Sequence, residues 1–184
     1  MSQKKLRFIA SFLLFLAFFG YQVYKQYNPS KNVLSVQEKK QTVVSQTTVV
    51  KVIDGDTLEV LIDGKKEKVR VIGINTPETV DPRRAVECFG KEASDKAKSL
   101  LSGKEVRLEE DPTQDNRDKY GRLLRYVFFT DGTDFGLTMV SEGYAYEYTY
   151  DVPYKYQKQY KKAQIESEKG EKGLWSDASC NGRK

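Results

Sequence analysis

Three runs rich in β-branched residues, each closed by a turn signal, dictate what residues 47–77 can fold into. Residues 47–53 (TTVVKVI) stop at Asp54-Gly55, residues 57–62 (TLEVLI) stop at Asp63-Gly64, and residues 67–74 (EKVRVIGI) stop before Asn75-Thr76-Pro77. β-Branched side chains suit a pleated surface, and Asp-Gly between such runs is a strong hairpin signal. Three consecutive strands joined by tight turns are therefore predicted.

The rest of the chain supplies two more strands and three helices. Residues 87–101 carry Phe89, Ala93, Ala97, Leu100 and Leu101 at helical spacing and end at Gly103. Residues 105–108 read as a short strand and residues 123–129 (LLRYVFF) as a long apolar one ending at Asp131-Gly132. Residues 135–142 read as a short helix stopped by Gly143, and a charged amphipathic helix is predicted from Pro153 to about Lys169. Five strands with a helix between the third and fourth follow the OB-fold pattern. The predicted class is α+β, a five-stranded OB-fold β-barrel with three helices over residues 47–178, followed by a tail at 179–184.

A different composition precedes the barrel. Lys4, Lys5 and Arg7 lead into a run from Phe8 to Phe19 that is apolar except for Ser11. Residues 6–24 are close to the ~20 needed to cross a bilayer, and Phe and Leu cover every face without a polar stripe. Small residues at the spacing of a signal-peptidase site are missing around Ala17 and Gly20. Residues 1–24 are thus expected to be an uncleaved transmembrane signal-anchor, with the basic end cytoplasmic and the rest of the chain outside the cell membrane. Secretion after signal cleavage is the alternative. Residues 25–46, rich in Gln, Lys, Ser and Thr, read as a flexible linker. The charge follows the same division. Of 31 Lys/Arg and 26 Asp/Glu, seven bases and one acid lie in residues 1–44, leaving 24 bases against 25 acids beyond them. The net charge of +5 therefore belongs to the N-terminal segment and is no argument for nucleic-acid binding by the barrel.

The chain has no histidine. That excludes Ser-His-Asp and Cys-His triads, histidine general bases and nearly all zinc hydrolase sites. Chemistry is left to carboxylates, Arg, Lys, Tyr or a cation held by oxygens. Cys88 and Cys180 lie in a domain expected outside the cell, where disulfides persist, and are read as a disulfide, with two unpaired thiols as the alternative.

Three polar clusters stand at the strand ends: Asp54-Gly55-Asp56-Thr57, Arg70 through Asn75-Thr76-Pro77-Glu78, and Asp118-Lys119-Tyr120-Gly121-Arg122. Singly, each has a plain structural explanation as a turn or a solvated loop. Jointly, Asp56 and Asn75 offer oxygens to a hard cation, Arg70 and Arg122 offer bidentate phosphate donors, and Glu78 is a carboxylate held behind a proline. That set suffices for attack of water on a phosphodiester without histidine.

The segments VVKVIDGDTLEV, VRVIGINTPET, ECFGKEAS, DKYGRLLRYVF, EGYA and GLWS, in this order, resemble the staphylococcal nuclease (thermonuclease) family over about residues 47–177. The resemblance implies a Ca²⁺-dependent, sugar-nonspecific endonuclease that cleaves DNA and RNA to 3′-phosphate products, with a monomeric catalytic domain. It implies that Asp56, Asn75 and the carbonyl of Thr76 hold Ca²⁺, that Glu78 activates water, and that Arg70 and Arg122 bind phosphate. Asp54 becomes a weak or outer ligand, and Lys119, Tyr120, Tyr148 and Tyr150 become substrate contacts. Asn75 stands where the founding member has a second Asp ligand, which implies weaker cation binding. The rival reading is a non-catalytic OB-fold nucleic-acid-binding module anchored at the membrane, and a third is an adhesion or scaffold domain.

Overall fold

A computed structural model describes residues 16–24, 46–79 and 85–183. The chain divides into two units at Val43/Val44. In the first, residues 16–24 are helical. Residues 6–15 of the expected span and nearly all of the expected linker lie outside the described residues. Among the described residues no helix is long and apolar enough to cross a membrane.

In the second unit five strands close a barrel in the order β1 (Gln46–Asp54), β2 (Thr57–Ile62), β3 (Lys65–Val71), β6 (Leu123–Phe129), β5 (Glu105–Glu109). The meander β1–β2–β3 is antiparallel as the turn signals require, with Asp54 opposite Thr57 and Ile62 opposite Lys65. β3 pairs β6 in parallel, and β1 meets β5 to close the ring. Helix α1 (Gly90–Leu101) lies between β3 and β5 in the chain, α2 (Phe135–Ser141) follows β6, and α3 (Gln157–Lys169) comes near the end. Val49, Val60, Val69, Val71, Val106 and Val127 fill the barrel interior. Strand side chains alternate between faces, so Val69 and Val71 point inward and Arg70 between them points out. The long apolar run of β6 does not alternate because both of its faces are covered. Tyr126 packs edge-on against Tyr156 and Tyr160 at ring-centroid distances of 4.6 and 6.5 Å.

Beyond shifts of one or two residues at strand and helix ends, four features differ from the sequence expectation, each for a reason visible in the structure. The third strand does not run through to Ile74. It ends at Val71, turns at Ile72-Gly73 with Gly73 at φ +82°, and restarts as β4 (Ile74–Asn75), which pairs with β7 (Tyr146–Glu147). α1 begins at Gly90 rather than Glu87, because the Glu87 amide donates to the Glu78 carbonyl and Phe89 takes a left-handed φ of 65°. α3 begins at Gln157 rather than Pro153, because Asp111 captures the Lys155 amide at 2.7 Å. The expected tail is part of the domain. Cys180 is buried, joins Cys88 in a disulfide with Cα atoms 5.9 Å apart, and the Gly182 amide donates to the Leu174 carbonyl. That bridge closes a separation of 92 residues, which the chain-entropy argument equates with about 4.6 kcal/mol.

The turn at Gly73 aims the chain that carries Asn75, Thr76 and Glu78, and it is packed without slack. A Cβ on Gly73 would stand 2.7 Å from Tyr154 Cε2 and 2.8 Å from Tyr160 Cε2, on a backbone that L-residues avoid. Gly73→Ala is expected to cost roughly 1–3 kcal/mol from overpacking, with the left-handed φ adding to it. A urea titration should show a lower midpoint at an unchanged m-value.

Candidate active site

The β1–β2 turn, the end of β3, β4 with the segment after it, and the entrance to β6 converge on one cleft of about 650 Å³. Its lining includes Asp54, Asp56, Lys68, Arg70, Asn75, Thr76, Glu78, Glu87 and Arg122. All six residues assigned above to catalysis or to the metal are therefore brought together.

Asp56 and Arg70 form its centre. Thr57 lies opposite Arg70 across β2 and β3, which sets Asp56 beside the guanidinium. Arg70 NH2 is 3.1 Å from Asp56 Oδ2, with the two side chains only 13% and 9% exposed. The same carboxylate oxygen accepts the Thr76 amide at 3.0 Å, and Asp56 Oδ1 accepts the Thr57 hydroxyl at 3.0 Å. Arg70 NH1 donates to the carbonyls of Val71 and Ile74 at 2.7 and 2.8 Å, and NH2 donates to Asn75 Oδ1 at 3.3 Å. Both terminal nitrogens of Arg70 are thus engaged inside the protein, where the sequence reading had them facing a phosphate. The two side chains read as metal ligands, Asp56 and Asn75, are the ones it holds.

Carboxylates crowd the other side. Asp54 Oδ1 accepts the Gly55 amide at 2.8 Å and the Thr79 hydroxyl at 2.7 Å. Burial pushes the Asp54 carboxyl above its usual range against those two hydrogen bonds, and the charges of Asp56 and Glu78 push the same way. Glu78 is fixed through its backbone: its amide donates to Glu87 Oε2 at 3.0 Å and its carbonyl accepts the Glu87 amide at 2.9 Å. Gly90 permits this approach, since a Cβ there would stand 2.7 Å from Thr79 Cγ2 and 3.1 Å from the Glu78 carbonyl.

Arg122 reaches the cleft from the start of β6. Its Nε donates to Asp118 Oδ2 at 2.6 Å and its NH1 to the Thr57 hydroxyl at 3.3 Å. Burial works against the Asp118 charge, yet the Arg122 hydrogen bonds hold its carboxyl below the ordinary range. The Tyr120 ring lies 5.3 Å from the Arg122 guanidinium carbon and 5.2 Å from Lys119 Nζ. Lys119, Tyr120, Tyr148 and Tyr150 are not among the cleft-lining residues. Tyr120 and Tyr150 are 72% and 74% exposed, and the Tyr148 and Tyr150 rings lie 6.3 Å apart just beyond β7. Such exposed rings can stack on bases.

Among the described residues, no three His, Cys, Asp or Glu side chains group closely enough to form a metal cage by themselves. The donors present are nonetheless all oxygens, from the Asp56 carboxylate, the Asn75 amide and the Thr76 carbonyl. Donors of that kind fit a hard cation such as Ca²⁺. Burial is the main cause that raises the Asp54 carboxyl, and the charges of Asp56 and Glu78 add to it. Sequence reasoning missed Glu87 and Lys68, and Asp118 entered it only as part of a loop. Glu87 gives no signal of its own, because only the loop closure brings it back to Glu78. Asp118 could have been found from its i,i+4 spacing to Arg122.

Comparison with known proteins points to one family. The family described as staphylococcal nuclease homologue matches residues 68–177. The thermonuclease of Staphylococcus hyicus is 43% identical over 129 residues, covering 70% of this chain and 75% of that protein. The thermonuclease of Staphylococcus intermedius is 42% identical over 127 residues, covering 69% and 74%. Endonuclease YncB of Bacillus subtilis is 38% identical over 139 residues, covering 75% of this chain and 65% of its own length. A match over more than half the chain, which takes in Arg70, Asn75, Thr76, Glu78 and Arg122 of the cleft but not Asp54 or Asp56, places this chain in the staphylococcal nuclease family.

Proposed function

We propose that this chain is a Ca²⁺-dependent, sugar-nonspecific endonuclease that hydrolyses DNA and RNA to 3′-phosphate products, working outside a membrane to which residues 6–24 anchor it. That it is a nuclease of thermonuclease type, a phosphodiesterase, follows from its family and from relatives near 40% identity. This sets aside the purely binding and scaffold readings. The observation that carries the finer reading is the single cleft that gathers Asp56, Asn75, Thr76, Glu78, Arg70 and Arg122 in a chain without histidine.

Asp56, Asn75 and the Thr76 carbonyl would hold the Ca²⁺. When bound, it supplies Lewis-acid stabilisation of the charge that builds on the phosphoryl oxygens. Glu78 orients a water and takes its proton as the water oxygen attacks phosphorus, the P–O5′ bond breaks, and the departing 5′ oxygen takes a proton from solvent to leave as a hydroxyl. Arg122, braced by Asp118 through Nε, presents its outer edge to the phosphate and neutralises developing charge. Arg70 holds Asp56 and Asn75 in register with β3 and sets the electrostatic floor of the cleft.

The decisive assay is digestion of plasmid and of RNA with Ca²⁺ and with a chelator. Cutting of both that vanishes with the chelator is expected, and equal cutting in both conditions would sink the Ca²⁺ reading. Glu78→Gln should lower turnover by ~10²–10⁴-fold with metal binding largely kept, the loss expected of a general base. Arg122→Lys keeps the charge but loses the fork that reaches Asp118 and phosphate together, so it should also cut poorly.

Asn75 gives a sharper test of the cation site. Asn75→Asp adds a negative charge beside the proposed ion, so the Ca²⁺ concentration for half-maximal cutting should fall, and Asp56→Ala should raise it. An unchanged Ca²⁺ dependence in Asn75→Asp, with Asp56→Ala inactive, would make Asn75 a turn residue only.

For the anchor, the full chain should fractionate with membranes, and protease added to cells stripped of outer barriers should reach the barrel. A soluble product starting after residue 20 in the medium would show a cleaved signal peptide instead.

A further inference from the structure

A carboxylate that activates water must be held to within about an ångström, and the structure shows what holds Glu78. Its amide donates to Glu87 Oε2 at 3.0 Å while its carbonyl accepts the Glu87 amide at 2.9 Å. This reciprocal clamp closes on the residue just before Cys88. Cys88 is bonded to Cys180, which is buried. The C-terminal segment around Cys180 is itself fastened. The Gly182 amide donates to the Leu174 carbonyl, and the Tyr146 hydroxyl reaches the Gly182 carbonyl at 3.4 Å. The Tyr146 ring meets Trp175 edge-on at 5.3 Å. Tyr146 belongs to β7, whose partner is Asn75 of β4. Covalent and hydrogen-bonded links thus run from the clamp on Glu78 back to the two-stranded sheet that carries Asn75. On the other side of Cys88, Phe89 is held at φ 65°, a conformation rare for a bulky side chain. It persists only where the surroundings enforce it.

We infer that Glu87 is a positioning residue for Glu78, and that the Cys88–Cys180 disulfide is a redox-sensitive lock on that clamp. The inference rests on the reading of Glu78 as the water-activating group. In the oxidised protein the bridge holds Glu87 against the Glu78 backbone and the carboxylate stays aimed into the cleft. A dithiol reductant opens the lock. It delivers two electrons and two protons, the S–S bond breaks, Cys88 and Cys180 each leave as thiols, and the reductant becomes a disulfide. The segment at Glu87–Cys88 then loses its tether to the C-terminal segment, the left-handed Phe89 relaxes, and Glu78 loses its fixed backbone. Activity would be full in an oxidising compartment and low in a reducing one.

The test compares the full-length chain oxidised and after reduction with dithiothreitol, with two free thiols counted. Steady-state cutting of an oligonucleotide is followed at saturating Ca²⁺. Reduction should lower kcat roughly 10–100-fold, the loss expected when a catalytic group is displaced by about an ångström, with KM within about twofold. Reoxidation should restore it. Glu87→Ala, with the disulfide intact, should show the same kcat loss. Glu87→Gln keeps an oxygen acceptor for the Glu78 amide and should stay within a few-fold of wild type. Both variants remove one negative charge from the cleft lining, so the Ca²⁺ concentration for half-maximal cutting should move alike in the two, while only Glu87→Ala loses kcat at saturating Ca²⁺.

Hydrogen exchange at the Glu78 amide supplies a readout independent of cutting. It should be slow in the oxidised wild type and at least about 10-fold faster after reduction and in Glu87→Ala, as expected for an amide that has lost its acceptor. Circular dichroism at the assay temperature shows whether the reduced protein is folded. If it is not, the two Glu87 variants decide the matter with the bridge in place. An unchanged kcat in Glu87→Ala, or a folded reduced protein with wild-type kcat and a protected Glu78 amide, overturns the proposal. A wild-type protein that exchanges as expected but cuts nothing with Ca²⁺ would remove the nuclease role of Glu78, and with it the lock's effect on activity.

Discussion

The pairing of Arg70 with Asp56 ties the barrel to its chemistry. Arg70 points outward because Val69 and Val71 on either side must fill the barrel interior. It stands opposite Thr57 because the Asp63-Gly64 turn sets the register between β2 and β3. The ion pair is therefore a consequence of strand alternation and turn length, and it forms only when β2 and β3 are paired as they are. Its burial makes it demanding: a desolvated guanidinium must fill its donor positions, and it does so with two main-chain carbonyls, one carboxylate and one amide. Those acceptors lie on both sides of the Ile72-Gly73 turn. Arg70 thereby folds the chain after β3 back over the β1–β2 turn and closes the floor of the cleft.

What the sequence made legible was the part governed by local rules. Strand 57–62 and strand 123–129 keep their expected limits, and the Asp-Gly turns sit where hairpin chemistry puts them. The short helix begins at Phe135 as expected and is capped by the Asp134 side chain, which accepts the Leu137 amide. Illegible were the features decided by contacts between distant residues. Residues 67–74 read as one strand because nothing local distinguishes Gly73 from a strand glycine. Its partners are distant in the chain: the Gly73 carbonyl accepts the Tyr148 amide at 2.9 Å, and Tyr154 and Tyr160 leave no room for a Cβ there. Glu87 read as the first residue of a helix, since Phe89, Ala93 and Ala97 after it recur at helical spacing. Its amide is instead taken by Glu78, and the helix waits until Gly90, where the missing Cβ admits Thr79.

The same distinction separates the site residues. Asp56, Arg70, Asn75, Thr76, Glu78 and Arg122 stand at strand ends, so a correct topology brings them together without further information. The direction of each side chain does not follow from topology. Arg70 reads from the sequence as a phosphate fork, whereas the structure turns its terminal nitrogens onto protein oxygens. Arg122 is held less completely: Asp118, four residues earlier, accepts from its Nε and its backbone amide, and NH1 makes one long bond of 3.3 Å to the Thr57 hydroxyl. The two arginines are chemically alike, yet the terminal nitrogens of one are filled by protein acceptors and those of the other only in part. The difference comes from the number of acceptors within reach of each.

Charge arithmetic in the cleft then explains why a neutral residue can stand at position 75. The lining holds four acids, Asp54, Asp56, Glu78 and Glu87, against three bases, Lys68, Arg70 and Arg122. Repulsion among the acids is already felt, since the charges of Asp56 and Glu78 add to the burial that raises the Asp54 carboxyl. A fifth carboxylate at position 75 would deepen the attraction for a cation but would also raise the cost of the cleft without one. Asn75 keeps the oxygen, which Arg70 holds at 3.3 Å, and leaves out the charge. In the cation site proposed above, that choice makes the folded protein less dependent on a bound ion to offset its own repulsion, at the expense of affinity for it.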